Sequence, residues 1–213
     1  VETVGGDGNV RFPLNYTPTK DTVSQIKFVY TTYSGNSFFG TAEGTADDAD
    51  YRFFRGSGNT IAYLDLPNSA RVNQANVLTS TTDAYEFELG NHYIKNIATG
   101  SMIVEGTPVD FSVFTAPLYL FGSKDYGQVY SLKISEGETA KLDLVPCEGE
   151  DGAGLLYDKL TDDSIASDGL HAGLAGERTG GFVFAGEVVA DSTVIEPGIL
   201  SETTACAKRL TIK

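Results

Sequence analysis

Period-two alternation of apolar and polar residues constrains this chain more than any other feature. Ile26, Phe28 and Tyr30 occupy every second position with Lys27, Val29 and Thr31 between them, and Tyr85, Phe87 and Leu89 alternate with Glu86 and Glu88. A spacing of two places each set on one face of an extended strand, a pattern that an α-helix cannot produce. Tyr130, Leu132 and Ile134 are expected to face opposite to Val129, Ser131 and Lys133, as are Leu142 and Leu144 to Lys141 and Asp143. The intervening Glu136-Gly137-Glu138 reads as a turn, which predicts a hairpin of strands 128–135 and 140–145. Further strands are expected at 51–54, 60–64, 101–104, 117–121 and 182–184, with loops at 41–50, 56–59, 67–76 and 148–154. Twelve Phe and 11 Tyr suit a pleated, half-buried surface, whereas 24 Gly and 7 Pro interrupt any long helix. An all-β, two-sheet antiparallel sandwich is the expectation.

No internal repeat divides the 213 residues, so one β-sandwich domain over 1–188 is expected. The pattern changes afterwards. Residues 189–213 carry a Glu196-Pro197-Gly198 turn and the short alternating end Arg209-Leu210-Thr211-Ile212-Lys213. They read as an extension that either adds a strand to the domain or packs on a neighbouring protein subunit. Its basic end contrasts with an acidic body, in which residues 136–168 hold ten acids and two lysines. The net charge of −14 disfavours a nucleic-acid partner. Apolar runs such as Leu118 to Phe121 fall far short of the roughly 20 residues that a membrane-spanning helix needs, so no membrane span is expected. Cys147 and Cys206 are too few for a disulfide scaffold, and whether they pair stays open.

Four linked blocks carry a family resemblance. They are Ala116-Pro117-Leu118-Tyr119-Leu120-Phe121-Gly122, Gln128-Val129-Tyr130-Ser131-Leu132-Lys133-Ile134, Leu142-Asp143-Leu144-Val145-Pro146-Cys147 and Gly154-Leu155-Leu156-Tyr157-Asp158-Lys159. In that order and spacing the chain resembles the concanavalin A-like (laminin-G-like) modules of bacterial surface proteins and phage structural proteins. Tyr16-Thr17-Pro18-Thr19, Phe38-Phe39-Gly40 and Gly181-Phe182-Val183-Phe184-Ala185-Gly186 resemble further strands of that family. The family's Tyr-Ile-x-Thr-Gly opening is replaced by Phe12-Pro13-Leu14-Asn15-Tyr16, and residues 161–179 look like an insertion. The resemblance implies a jelly roll whose concave face and bordering loops bind glycans in the carbohydrate-binding members. It also implies an extracellular place, on a cell surface or virion.

Catalytic patterns are absent from the sequence. The glucanases of that fold carry Glu-x-Asp-x-x-Glu on one strand; here Glu86 and Glu88 share a face, but the next position in register is Gly90. His92 and His171 lack a Gly-x-Ser-x-Gly elbow nearby and read as structural or solvent-facing. No cofactor is expected, although Asp47, Asp48 and Asp50, and Asp162 and Asp163 with Asp168, form the best clusters for Ca²⁺. Binding is therefore the expected activity. Aromatic rings stack on sugars while Tyr keeps a polar tip, which selects Tyr126, Tyr93 and Tyr51, with Phe53 and Tyr63 beside them and Asn91 and Asn59 as amide partners. The expected function is non-catalytic recognition of a glycan or glycoprotein. The alternative is a structural or decoration subunit that mediates protein–protein assembly through residues 189–213.

Overall fold

The computed structural model describes residues 12–30, 37–41, 51–56, 60–111, 116–120, 127–148, 154–160, 163–166, 183–185 and 199–201, and none of these is helical. In chain order the strands are β1 (Phe12–Pro13), β2 (Thr22–Tyr30), β3 (Ser37–Gly40), β4 (Arg52–Arg55), β5 (Ala62–Leu66), β6 (Ala70–Gln74), β7 (Tyr85–Gly90) and β8 (Tyr93–Asn96). They continue with β9 (Met102–Glu105), β10 (Tyr119–Leu120), β11 (Gly127–Glu136), β12 (Thr139–Glu148), β13 (Gly154–Asp158), β14 (Asp163–Ala166), β15 (Val183–Ala185) and β16 (Ile199–Ser201).

Six strands form one antiparallel sheet in the order β1-β10-β3-β4-β5-β6. Ten form the other, with the main path β14-β13-β12-β11-β2-β7-β8-β9. The predicted hairpin is present as β11 and β12, with Leu132 opposite Leu144 and Glu136 opposite Thr139. β2 runs along one edge of β11 from Gly127 to Glu136, while on the other edge β12 pairs only from Leu132 onward. The stretch of β11 that β12 leaves is filled by β16, with Gln128 opposite Ser201 and Val129 opposite Leu200. β16 thus adds a strand to the larger sheet. Residues 202–213 lie outside the described residues.

The alternation in β2 explains how the sheets meet. Ile26, Phe28 and Tyr30 are fully buried, whereas Gln25 and Lys27 look outward. Phe28 of the larger sheet lies 5.0 Å from Phe38 and 5.5 Å from Phe53 of the smaller one, and 5.6 Å from Phe87 on the neighbouring strand. Several of these rings meet edge to face, the arrangement that brings a positive ring edge onto a negative ring face. Leu64, Leu120, Leu132, Ile134 and Leu144 complete this sandwich core.

Four expectations need correction. Tyr51 and Phe53 are fully buried, because the inward face of β4 and the residue before it pack on β2 and β7. The expected loop 67–76 contains β6. Asn68 and Ser69 both take positive φ, at 62° and 56°, and the Ala70 N–H bonds the Pro67 carbonyl, so the reversal is a tight turn and the chain re-enters the sheet at once. In β11 a register shift between Val129 and Ser131 breaks the alternation. This bulge puts Val129 on the buried side with Leu132 and Ile134 and leaves Tyr130 half-exposed, near Lys27. Of the expected strand at 117–121, Tyr119 and Leu120 form β10 while Pro117 and Leu118 precede it, and Phe121 lies outside the described residues.

Candidate functional site

The register between β2 and β11 brings together three segments that are distant in sequence. Thr22, at the start of β2, lies opposite Glu136 at the end of β11, and Ser24 lies opposite Leu89 of β7, one residue before the turn to β8. An open groove of about 480 Å³ results, lined by Lys20, Asp21, Thr22, Val23, Asn91, Tyr93, Glu136 and Gly137.

Tyr93 forms its aromatic wall. Gly90 lies directly opposite on β7, and the Tyr93 ring occupies the space that a side chain there would fill. The phenol donates a 3.1 Å hydrogen bond to Glu88 Oε1, while Glu88 Oε2 accepts from Gln25 Nε2 at 2.9 Å. Lys95 Nζ lies 3.9 Å from the same carboxylate. Burial, and then the neighbouring Glu88 charge and hydrogen bond, push the Tyr93 phenol up to about 12. It stays a neutral donor at physiological pH.

Glu136 forms the opposite wall and is pinned from three directions. Tyr16 Oη donates to Glu136 Oε1 at 2.9 Å, Thr19 Oγ1 donates to the same oxygen at 3.1 Å, and Lys141 Nζ is 3.0 Å from Oε2. The Lys141 hydrogen bond first, and that of Tyr16 next, hold this carboxyl below its ordinary value. Tyr16 is displaced the other way, chiefly by burial, so it too remains a neutral donor. Lys20 lies on the rim, 3.8 Å from Asp110.

Asn91 lines the groove, but its amide is committed to the scaffold. Asn91 Nδ2 donates to the Val109 carbonyl at 2.7 Å, and the Val109 N–H donates to Asn91 Oδ1 at 2.9 Å. Next to it His92 takes φ 68°, bonds the Thr107 carbonyl through Nδ1, and accepts the Gly106 N–H on its own carbonyl at 2.8 Å. Asn91 and His92 therefore strap the segment after β9 to the β7–β8 turn. One N–H and one lone pair of the Asn91 amide are thereby spent on the scaffold.

Of the predicted binding residues, the fold brings Tyr93 and Asn91 into one groove and removes Tyr51 to the core, where no ligand reaches its ring. Tyr63 lies on the other sheet, stacked on Phe54. Tyr126 and Asn59, and the cation candidates Asp47, Asp48, Asp50, Asp162 and Asp168, lie outside the described residues. No group of three or more His, Cys, Asp or Glu suited to a metal occurs among the described residues. Lys20, Asp21, Thr22 and Glu136 were not legible as site residues, because only the pairing of β2 with β11 makes them neighbours. Among the described residues no helix is long and apolar enough to cross a membrane. Comparisons with protein-family models, curated proteins and solved structures find no match for the chain.

Proposed function

We propose that this protein is a non-catalytic recognition module that binds a glycan in the groove between Tyr93 and Glu136. The observation that carries the reading is the make-up of this groove. A half-buried tyrosine ring, a lysine and two carboxylates face an open cleft of about 480 Å³, within the size range of about 300–1,000 Å³ typical of small-ligand sites. Sugars offer apolar C–H faces to a ring and hydroxyls to charged and polar groups, so this mixture matches their chemistry. The resemblance to concanavalin A-like modules, with a jelly-roll order of strands and a place on a cell or virion surface, is part of the same proposal.

Glu136 is unsuited to the proton-donating role in a glycosidase. A glycosidase needs one carboxyl that keeps its proton near the working pH, but Glu136 is held ionised by Lys141, Tyr16 and Thr19. A glycan array followed by a reducing-sugar release assay tests the proposal. Binding without release is expected. Silence across the array refutes glycan recognition, and release of sugar from any bound polysaccharide refutes the non-catalytic part.

A further inference from the structure

The outward face of the six-stranded sheet carries a second cluster, unconnected with the groove. Cross-strand register fixes it: Arg52 on β4 lies opposite Asp65 on β5, which lies opposite Arg71 on β6, and one step along Phe54 lies opposite Tyr63, which lies opposite Asn73. The Phe54 and Tyr63 rings stack at 4.9 Å and 9°. The Arg52 guanidinium sits 4.6 Å from the Phe54 ring centre, and that of Arg71 sits 5.2 Å from the centre of Tyr63 and 5.7 Å from that of Phe54. Both guanidiniums share one carboxylate. Arg52 Nη2 donates to Asp65 Oδ2 at 2.8 Å, and Arg71 grips Asp65 with Nε on Oδ1 and Nη2 on Oδ2.

Charge and exposure are distributed unequally within this cluster. Two guanidiniums against one carboxylate leave a net positive charge on a protein whose total is −14. Arg52 and Asp65 are buried, with side chains 8% and 10% exposed, whereas the Arg71 side chain is 44% exposed. The surplus charge is therefore presented to solvent through Arg71. Asp65 holds its Nε and Nη2 and its Cζ lies over the Tyr63 ring, so the Nη1 edge is left for an incoming group with little rotamer freedom still to lose. Exposed Asn73 and half-exposed Tyr63 add an amide and a phenol to the same face.

We infer that this face is an anion-recognition surface, centred on Arg71 with Tyr63 and Asn73, that takes the carboxylate of an acidic sugar. A planar carboxylate matches the free guanidinium edge, and the amide and phenol match sugar hydroxyls. A polyanion such as nucleic acid is disfavoured, because the rest of the strongly acidic chain repels it. The inference does not depend on the groove, which lies on the other sheet.

The test is a titration of the whole chain with methyl glucuronide and, in parallel, with the neutral methyl glucoside, followed by amide chemical shifts. Glucuronide is expected to shift the β5 and β6 amides and glucoside is not, and the effect should weaken as salt is raised. Arg71→Gln should weaken glucuronide binding roughly tenfold or more, as expected for loss of a charge-assisted contact. Arg71→Gln leaves Asp65 paired with Arg52, and a thermal melt checks its fold. Asn73→Ala, on the exposed face of an edge strand, provides a second variant that should also weaken binding. Equal responses to the two sugars, no response to glucuronide, or glucuronide binding that survives Arg71→Gln would each overturn the inference. Loss of glucuronide binding in Tyr93→Ala but not in Arg71→Gln would place the ligand in the groove and overturn it as well.

Discussion

Substituting Gly90 with alanine should move the Tyr93 ring while leaving the sheet intact. A Cβ on residue 90 would stand 2.1 Å from Tyr93 Cε1, 2.3 Å from Cζ and 2.5 Å from Oη, all far inside van der Waals contact. The atoms it meets belong to the outer end of a side chain that can rotate, so the ring swings out by more than an ångström rather than the strand breaking. That movement breaks the 3.1 Å bond to Glu88. Losing one hydrogen bond to a half-exposed charged acceptor, together with part of the ring's packing, costs about 1.5–2.5 kcal/mol. Replacing Gly by Ala in a strand returns about 0.5–1 kcal/mol of this. The net loss is about 0.5–2 kcal/mol, or about 1–8 °C in thermal midpoint for a chain of this size. In a Tyr93→Ala background the clash is gone, so Gly90→Ala should be neutral or slightly stabilising, giving a coupling of about 1.5–2.5 kcal/mol in the double-mutant cycle. The assay is denaturant unfolding of the four proteins, with ring-carbon NMR titration of Tyr93 beside it. In Gly90→Ala the phenol should titrate below its value of about 12, because burial and Glu88 no longer act on it. Additive unfolding energies, or an unchanged phenol titration, would refute the placement of Tyr93 over Gly90.

Gly40→Ala should behave very differently, since its Cβ would lie 2.2 Å from the Tyr51 carbonyl oxygen, a backbone atom that cannot rotate away; loss of folded protein on expression or melting is expected, and a midpoint near wild type would contradict the β3–β4 contact. Asp65→Ala leaves buried Arg52 without its carboxylate and should destabilise by about 3–5 kcal/mol in denaturant unfolding. Glu136→Gln should lower stability at neutral pH. The depressed folded-state value means that the Glu136 contribution is present above the ordinary carboxylate range and is lost as pH falls through the folded value, so wild type and variant should converge in acid melts.

How much of this was readable in advance can be seen strand by strand. β7, β11 and β12 were legible because each carries alternating residues on a half-buried face, and the Glu136-Gly137-Glu138 turn marks their junction. β6 was not legible, since only Val72 is buried in it and Arg71, Asn73 and Gln74 are exposed, so an edge strand after Pro67-Asn68-Ser69 looks like more loop. The phase of Val129 was lost to the bulge, which inserts a residue without any local sequence mark. The sequence marks Tyr93 and Tyr51 alike as aromatic candidates; composition alone cannot separate a ring over a glycine at the surface from one that precedes β4 and packs into the core. The guanidinium–aromatic face is not legible in the sequence, because its members alternate along three different strands and meet only through cross-strand register.

The most direct test of the central claim is to map where a sugar touches the protein. An oligosaccharide selected on a glycan array is titrated into the isotope-labelled chain, and amide shifts are followed residue by residue. The proposed function predicts that the perturbed amides cluster at Lys20 to Val23, Asn91 to Tyr93 and Glu136 to Gly137, the lining of the groove, and that Tyr93→Ala reduces affinity roughly tenfold or more. Shifts confined to other surfaces, or an affinity indifferent to Tyr93, would contradict it.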